Sequence, residues 1–173
     1  MSDAERLESS TVFTGKVFSI ERDRVRMPNG RAVTLDVVRH PQSVVLVPVP
    51  EPGQVVLVKQ YRYAVNAFLW ELPAGSVDEG ETPEHAAIRE CHEEIGQVPA
   101  TVMRLAALYP TPGYCDEEMI YFRVSGLEQP TQAAALDEDE DIEVQTFELR
   151  DAREMVRRGE IVDMKTIVGL GLL

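Results

Sequence analysis

Apolar residues along the chain fall into short runs and one long periodic stripe, and that difference separates strands from helices. SVVLVPV (43–49) and QVVLVKQYRY (54–63) are continuous β-branched runs split by Pro50-Glu51-Pro52-Gly53, so they predict strands buried on both faces. VFSIERDRVRM (17–27) and RAVTLDVVR (31–39) flank Pro28-Asn29-Gly30, and Asn-Gly is a strong hairpin signal. FLWEL (68–72), LAALY (105–109), MIYFRV (119–124) and IEVQTFEL (142–149) predict further strands. The helical rhythm appears after Thr82-Pro83, an N-cap residue followed by a first-turn proline, and stops at Gly96, where a left-handed cap belongs. Asp151 with Glu154 predicts a capping-box helix over 152–158, and 164–172 predicts a last one. Strands alternating with helices predict an α/β fold, and no internal repeat is present.

The helix ending at Gly96 carries an electrostatic problem. Ala87, Ile88, Cys91 and Ile95 form its packing stripe, while Glu90, Glu93 and Glu94 collect on another face. Like charges three and four residues apart repel, so either water solvates this face or a cation neutralises it. Carboxylate clusters suit hard divalent cations, and Mg²⁺ takes a few carboxylates with waters and phosphates.

Composition narrows the partners. The net charge of −13 opposes a nucleic-acid backbone, which proteins hold with many Lys and Arg, and leaves a small anion needing metal ions to shield it. No apolar run approaches the roughly 20 residues that span a bilayer, and MSDAERLESS lacks the apolar core of a secretory signal. Cys91 and Cys115 lack metal-site spacing and predict reduced thiols, so the cytoplasm is the expected compartment. His85 and His92 lack a metal-ligand partner pattern, and Cys115 lacks a thiol-triad histidine.

Gly75, Glu81 and the run Arg89-Glu90-Cys91-His92-Glu93-Glu94-Ile95-Gly96 reproduce the spacing of the Nudix hydrolases, a family this chain resembles. Seven fixed positions at roughly one in fifteen each give a chance match of order one in 10⁸ per window. Cys91 stands where a larger aliphatic is common and Gln97 where an aliphatic is expected, departures that touch packing and not the carboxylates. The resemblance implies a Nudix α/β/α sandwich with a mixed sheet and a loop-helix-loop catalytic motif, preceded by an N-terminal β-hairpin. Residues 1–40 would be an arm that forms a homodimer, and residues 41–173 the hydrolase domain.

VKQYRY, WELPAGSVDEGE, YPTPGYCDEE and DEDEDIEV narrow the resemblance to ADP-ribose pyrophosphatases and nucleoside diphosphate sugar hydrolases, over most of residues 17–173. It implies Mg²⁺, with Mn²⁺ as substitute, held by Glu90, Glu94 and the carbonyl of Ala74, with Glu93 as a further ligand or water-holding group. Arg89 would pair with Glu93 one turn on, and Glu81 is either a supporting carboxylate or a solvated residue before the cap. Arg62 would offer its planar fork to a phosphate, or else makes a surface ion pair. Glu71 would touch the nucleoside or buttress the metal loop, and Pro112 stands near a proline characteristic of the subfamily. Phe18 would stack on the adenine or serve as core, and Trp70 is expected in the core. The general base would be Glu140, two positions before Ile142-Glu143-Val144, with Glu138 as runner-up and Glu93 as the alternative on the helix. The implied reaction gives a nucleoside monophosphate and a sugar phosphate. The competing readings are cleavage of a nucleoside triphosphate or capped RNA end, and a non-catalytic nucleotide sensor.

Overall fold

The computed structural model describes residues 3–130 and 142–173 and divides the chain into two compact units. One comprises residues 1–42 with 108–118, and the other residues 43–107 with 119–173.

The first unit is an antiparallel sheet of β1 (Glu5–Thr14), β2 (Ser19–Arg26) and β3 (Ala32–Arg39) in that order. Asn29-Gly30 turns β2 into β3, with Gly30 at φ 83° and the Asn29 side chain accepting from Arg31 N at 3.0 Å. β1 escapes the sequence reading because ERLESSTVFT has no apolar stripe and is exposed almost throughout. It is held by ladder hydrogen bonds and by cross-strand ion pairs, Arg26 with Glu5 and Arg24 with Glu8.

In the second unit β4 (Ser43–Val49) lies between β7 (Ala74–Ser76) and β9 (Met119–Glu128), antiparallel to the first and parallel to the second. β8 (Val98–Leu108) completes this four-stranded mixed sheet. β5 (Gln54–Arg62) pairs with β6 (Ala67–Glu71) on one side and β10 (Ile142–Glu148) on the other. Every residue of β4 is buried, as its unbroken apolar run requires. Val44 and Leu46 join Val56, Val58, Phe122 and Cys91 in a core under α1 (Pro83–Ile95). Val45 and Val47 join Leu57, Leu72, Met155 and Leu170 in a core under α2 (Leu149–Arg157) and α3 (Met164–Gly171). Successive residues of one strand thus face two helical layers, which is the α/β/α sandwich.

Three helix details bear on the site. Thr82 caps α1 by accepting from His85 N at 3.3 Å, and Gly96 ends it at φ 67°. The Asp151–Glu154 box does not form. β10 runs straight into α2, which starts at Leu149 with Leu149 N donating to Gly53 O at 2.7 Å, so Asp151 falls in the first turn and caps nothing. α3 is capped by Asp163, whose carboxylate accepts from Thr166 N at 3.0 Å.

Candidate active site

The site starts at Gly75. A β-carbon there would lie 2.0 Å from Glu90 Oε1 and 2.1 Å from its carboxyl carbon, so any other residue would displace the Glu90 carboxylate from its place against β7. Glu90 and Glu94, one turn apart, are 8% and 6% exposed. Carboxylates of this kind are almost never buried without partners. Ala74 N approaches Glu94 Oε1 at 3.4 Å, which fixes the residue before the glycine against the second of the two.

Arg89 supplies much of the neutralisation that this helix needs. Its Nη1 donates to Glu90 Oε1 at 2.6 Å and to Glu93 Oε2 at 2.9 Å, and its Nε and Nη2 grip Glu81 at 3.1 and 3.0 Å. Nη2 also donates to Ser76 O at 2.9 Å, tying α1 to the end of β7. One guanidinium thereby joins three carboxylates and a backbone carbonyl, a geometry its planar fork allows and an ammonium does not. The Arg89 pKa is raised, first by the hydrogen bond to Glu81, and the same bond lowers that of Glu81. Glu81 is therefore a partner of Arg89 and not a solvated residue ahead of the cap.

The donor set fits a hard divalent cation. It consists of oxygens alone, and Gly75 leaves the Glu90 carboxylate no side chain to pack against. Among the described residues, no three acidic, histidine or cysteine side chains converge on one metal-sized point. Arg89 Nη1 engages Glu90 and Glu93 together, so a cation would compete with it for those oxygens.

A second charged chain lies in the same unit. Arg62, at the end of β5, grips Glu71 with Nε at 3.0 Å and Nη2 at 2.8 Å. Glu71 also accepts from Lys165, whose Nζ lies 3.1 Å from Asp163 Oδ2. Burial pushes the Glu71 carboxyl up, but Arg62 and Lys165 outweigh it and leave the pKa below the ordinary value. The Arg62 pKa is raised, chiefly by Glu71, with the charges of Glu94 and Asp163 adding to it. Glu71 is only 1% exposed, which favours buttressing over nucleoside contact. Two donors of the Arg62 fork are engaged by Glu71, and the side chain is 41% exposed.

Lys165, Asp163 and Thr166 were missed from the sequence, although a signal was there. Lys165 is a single charge inside the apolar run MKTIVGLGLL, and a charge that a helix must bury needs a carboxylate partner.

The structure thus gathers Ala74, Arg89, Glu90, Glu93 and Glu94 around one helix and brings Arg62 with Glu71 within the field of Glu94. Trp70 packs edge-on against Phe147. Phe18 and Pro112 belong to the other unit, where Phe18 lies 6.1 Å from Phe13 and both site candidates are at least partly exposed. Glu140 and Glu138 fall outside the described residues. Cys91 is fully buried and its thiol is pushed up to about 12 by burial, so it is an inert core residue.

Known proteins share this arrangement of sequence and fold. The NUDIX domain family matches residues 39–165. An ADP-ribose pyrophosphatase of Mycobacterium tuberculosis is 38% identical over 97% of this chain and 82% of its own length. An ADP-ribose pyrophosphatase of Bacillus subtilis is 33% identical over 99% of this chain and 92% of its own. Among solved structures, that of an ADP compounds hydrolase superposes with a TM-score of 0.84 at 20% identity, over 99% of this chain and 92% of that one, a likeness of fold.

Proposed function

This chain belongs to the NUDIX domain family, and from that premise we propose that it hydrolyses the pyrophosphate bond of ADP-ribose or a related nucleoside diphosphate sugar, with Mg²⁺. The observation that carries this reading is the Glu90–Glu94 edge of α1 laid against Gly75, with similarity to two ADP-ribose pyrophosphatases along nearly the whole chain. Hydrolases of this family use divalent metal ions. Bound here, such an ion would shield the pyrophosphate charge and acidify the attacking water.

The chain's own residues divide the remaining work. Glu90, Glu94 and the Ala74 carbonyl would hold the cation, and Glu93 would add a carboxylate at the more exposed edge. Arg89 keeps the Glu90 and Glu93 carboxylates in register for it. Arg62, braced by Glu71, turns its exposed edge to a phosphate oxygen, a task for positioning and electrostatics. Glu140 takes the proton from the attacking water, and Glu140→Gln then lowers kcat by roughly 10²- to 10⁴-fold with little change in KM.

The amino-terminal unit pairs with a second copy in this reading. Val12, Phe13, Val17, Phe18 and Leu35 are each more than 40% exposed, and a three-stranded sheet this open gains from covering them. A strictly monomeric, fully active species in light scattering would end that part. Unpaired Cys91 and Cys115 fit a reducing cytoplasm, and among the described residues no helix is long and apolar enough to cross a membrane.

A substrate panel with Mg²⁺ tests the reading: ADP-ribose, ADP-glucose, GDP-mannose, ATP and capped RNA, followed by product chromatography. The expected result is a monophosphate plus a sugar phosphate from one or more of the first three. Cleavage confined to ATP or capped RNA contradicts the reading, as does binding of all five with no turnover.

A further inference from the structure

Residues 72 and 73 cross from β6 to Ala74, the first residue of β7, which pairs with Val45 of β4, and the three are tied to different elements. Leu72 N donates to Thr166 Oγ1 of α3 at 2.7 Å, Pro73 O accepts from Leu46 N of β4 at 2.8 Å, and Ala74 N approaches Glu94 of α1 at 3.4 Å. Pro73 has a locked φ and no N–H, so once the Leu72 amide plane is set few torsions remain between it and the Ala74 carbonyl.

Thr166 sets that plane from deep inside the fold. It is fully buried, and its hydroxyl donates to Asp163 Oδ2 at 2.6 Å while accepting from Leu72, so both of its directions are fixed. Packing reinforces the same contact. A β-carbon on Gly169, one turn along α3, would lie 2.2 Å from Leu72 Cδ1, so the Leu72 side chain packs directly onto the bare helix surface there. Lys165 adds a charge link from the same turn to Glu71, the residue before Leu72. The start of α3 is separated in sequence from this crossing by 94 residues, yet it holds two successive residues of it.

We propose that Thr166 is a positioning residue for the metal site: through Leu72 N–H and the rigid Pro73 it aims the Ala74 carbonyl at the cation held by Glu90 and Glu94. This rests on the reading of those groups as the metal site. Polar groups one step behind a ligand typically govern metal affinity about 10- to 100-fold. The hydroxyl matters here and not the methyl, because only the hydroxyl meets the amide.

The test is Mn²⁺ binding to the substrate-free full chain, followed by calorimetry and by the free-ion electron paramagnetic signal. Thr166→Val, which keeps the volume, is expected to weaken Mn²⁺ about tenfold, and Thr166→Ser to restore it to within about twofold of wild type. Asp163→Asn, which leaves Thr166 in place but weakens the grip on its hydroxyl, is expected to cause a smaller loosening, and decides the matter if Thr166→Val does not fold. Met155→Ala, in the same core but on α2, serves as the control that lowers the melting temperature and leaves Mn²⁺ affinity unchanged. Wild-type affinity in both Thr166→Val and Asp163→Asn overturns the proposal. So does a loss in Thr166→Ser as large as in Thr166→Val, or an equal loss in Met155→Ala. Wild-type protein that binds no Mn²⁺ overturns the metal site itself, a separate failure recognisable before any variant is made.

Discussion

Two arginines in this molecule each hold three carboxylates, and they do different work. Arg89 joins Glu81, Glu90 and Glu93 in the second unit, while Arg39 joins Glu21, Asp23 and Asp116 in the first at 2.9, 2.6 and 3.0 Å. Around Arg39 two acids come from the neighbouring strand β2 and the third from a loop, so the arginine sews a thin sheet to the segment 108–118. Around Arg89 two of the acids share a helix with the arginine itself, and Glu90 faces a glycine that offers it no side chain. The same charge chemistry closes a fold in one place and, in the proposed reading, sets carboxylates for a cation in the other. What separates the two is the backbone, with Gly75 against Glu90 and the Ala74 amide against Glu94.

The sharpest way to break this comparison is to neutralise Glu94, beside the Arg89 cluster, and Asp23, within the Arg39 cluster. Glu94→Gln keeps shape but removes a proposed ligand, and turnover is expected to fall by more than about 100-fold, since even indirect partners of a metal cost 10- to 100-fold. Asp23→Asn is expected to leave turnover of the folded protein near wild type. Steady-state kinetics beside circular dichroism check both, and equal losses would erase the distinction.

Exchanging the arginines comes next. Arg89→Lys cannot reach Glu81, Glu90, Glu93 and Ser76 O together, so kcat is expected to drop about 10- to 100-fold. Arg39→Ala leaves Asp23, 4% exposed, without its cation, and is expected to cost about 1–3 kcal/mol in denaturant unfolding with kcat unchanged. A kcat loss at Arg39 in protein that remains folded would place the first cluster in catalysis as well.

How much of this was legible in the sequence depends on the range of the interaction. The helix from Pro83 to Ile95, its caps at Thr82 and Gly96, and the i,i+4 pairing of Arg89 with Glu93 follow from local spacing alone. β4 could be read because burial on both faces leaves an unbroken apolar run. β1 could not, because an exposed strand held by ion pairs has no hydrophobic rhythm. β7 has three residues, too few for a period to register. Within the site, the gathering of Glu90, Glu93 and Glu94 on one helix face follows from spacing, whereas the hold of Lys165 on Glu71 and of Thr166 on Leu72 crosses 94 residues and leaves only an unexplained lysine in an apolar helix. The early start of α2 likewise depends on Leu149 N meeting Gly53 O, a tertiary bond that overrides the cap signal at Asp151.

A smaller effect sharpens the comparison through pH. Glu71 and Glu81 both have pKa values lowered in the fold, against about 4.3 when unfolded. Because the folded values lie lower, their contribution to stability is complete above the unfolded value and is lost as pH falls through the folded ones. Acid unfolding is therefore expected to begin below about pH 4.3 and to be weakened in Glu81→Gln. An unchanged acid limb in that variant would show that the Arg89–Glu81 bond adds nothing to the fold.

The most direct measurement is AMP release from ADP-ribose by the wild-type chain with Mg²⁺, then with EDTA in excess, then with Mg²⁺ restored. The expected result is AMP with ribose 5-phosphate in the first and third conditions and none in the second. Undiminished release in EDTA, or no cleavage of any nucleoside diphosphate sugar in Mg²⁺ by folded protein, would contradict the reading of Glu90 and Glu94 as a metal-dependent catalytic edge.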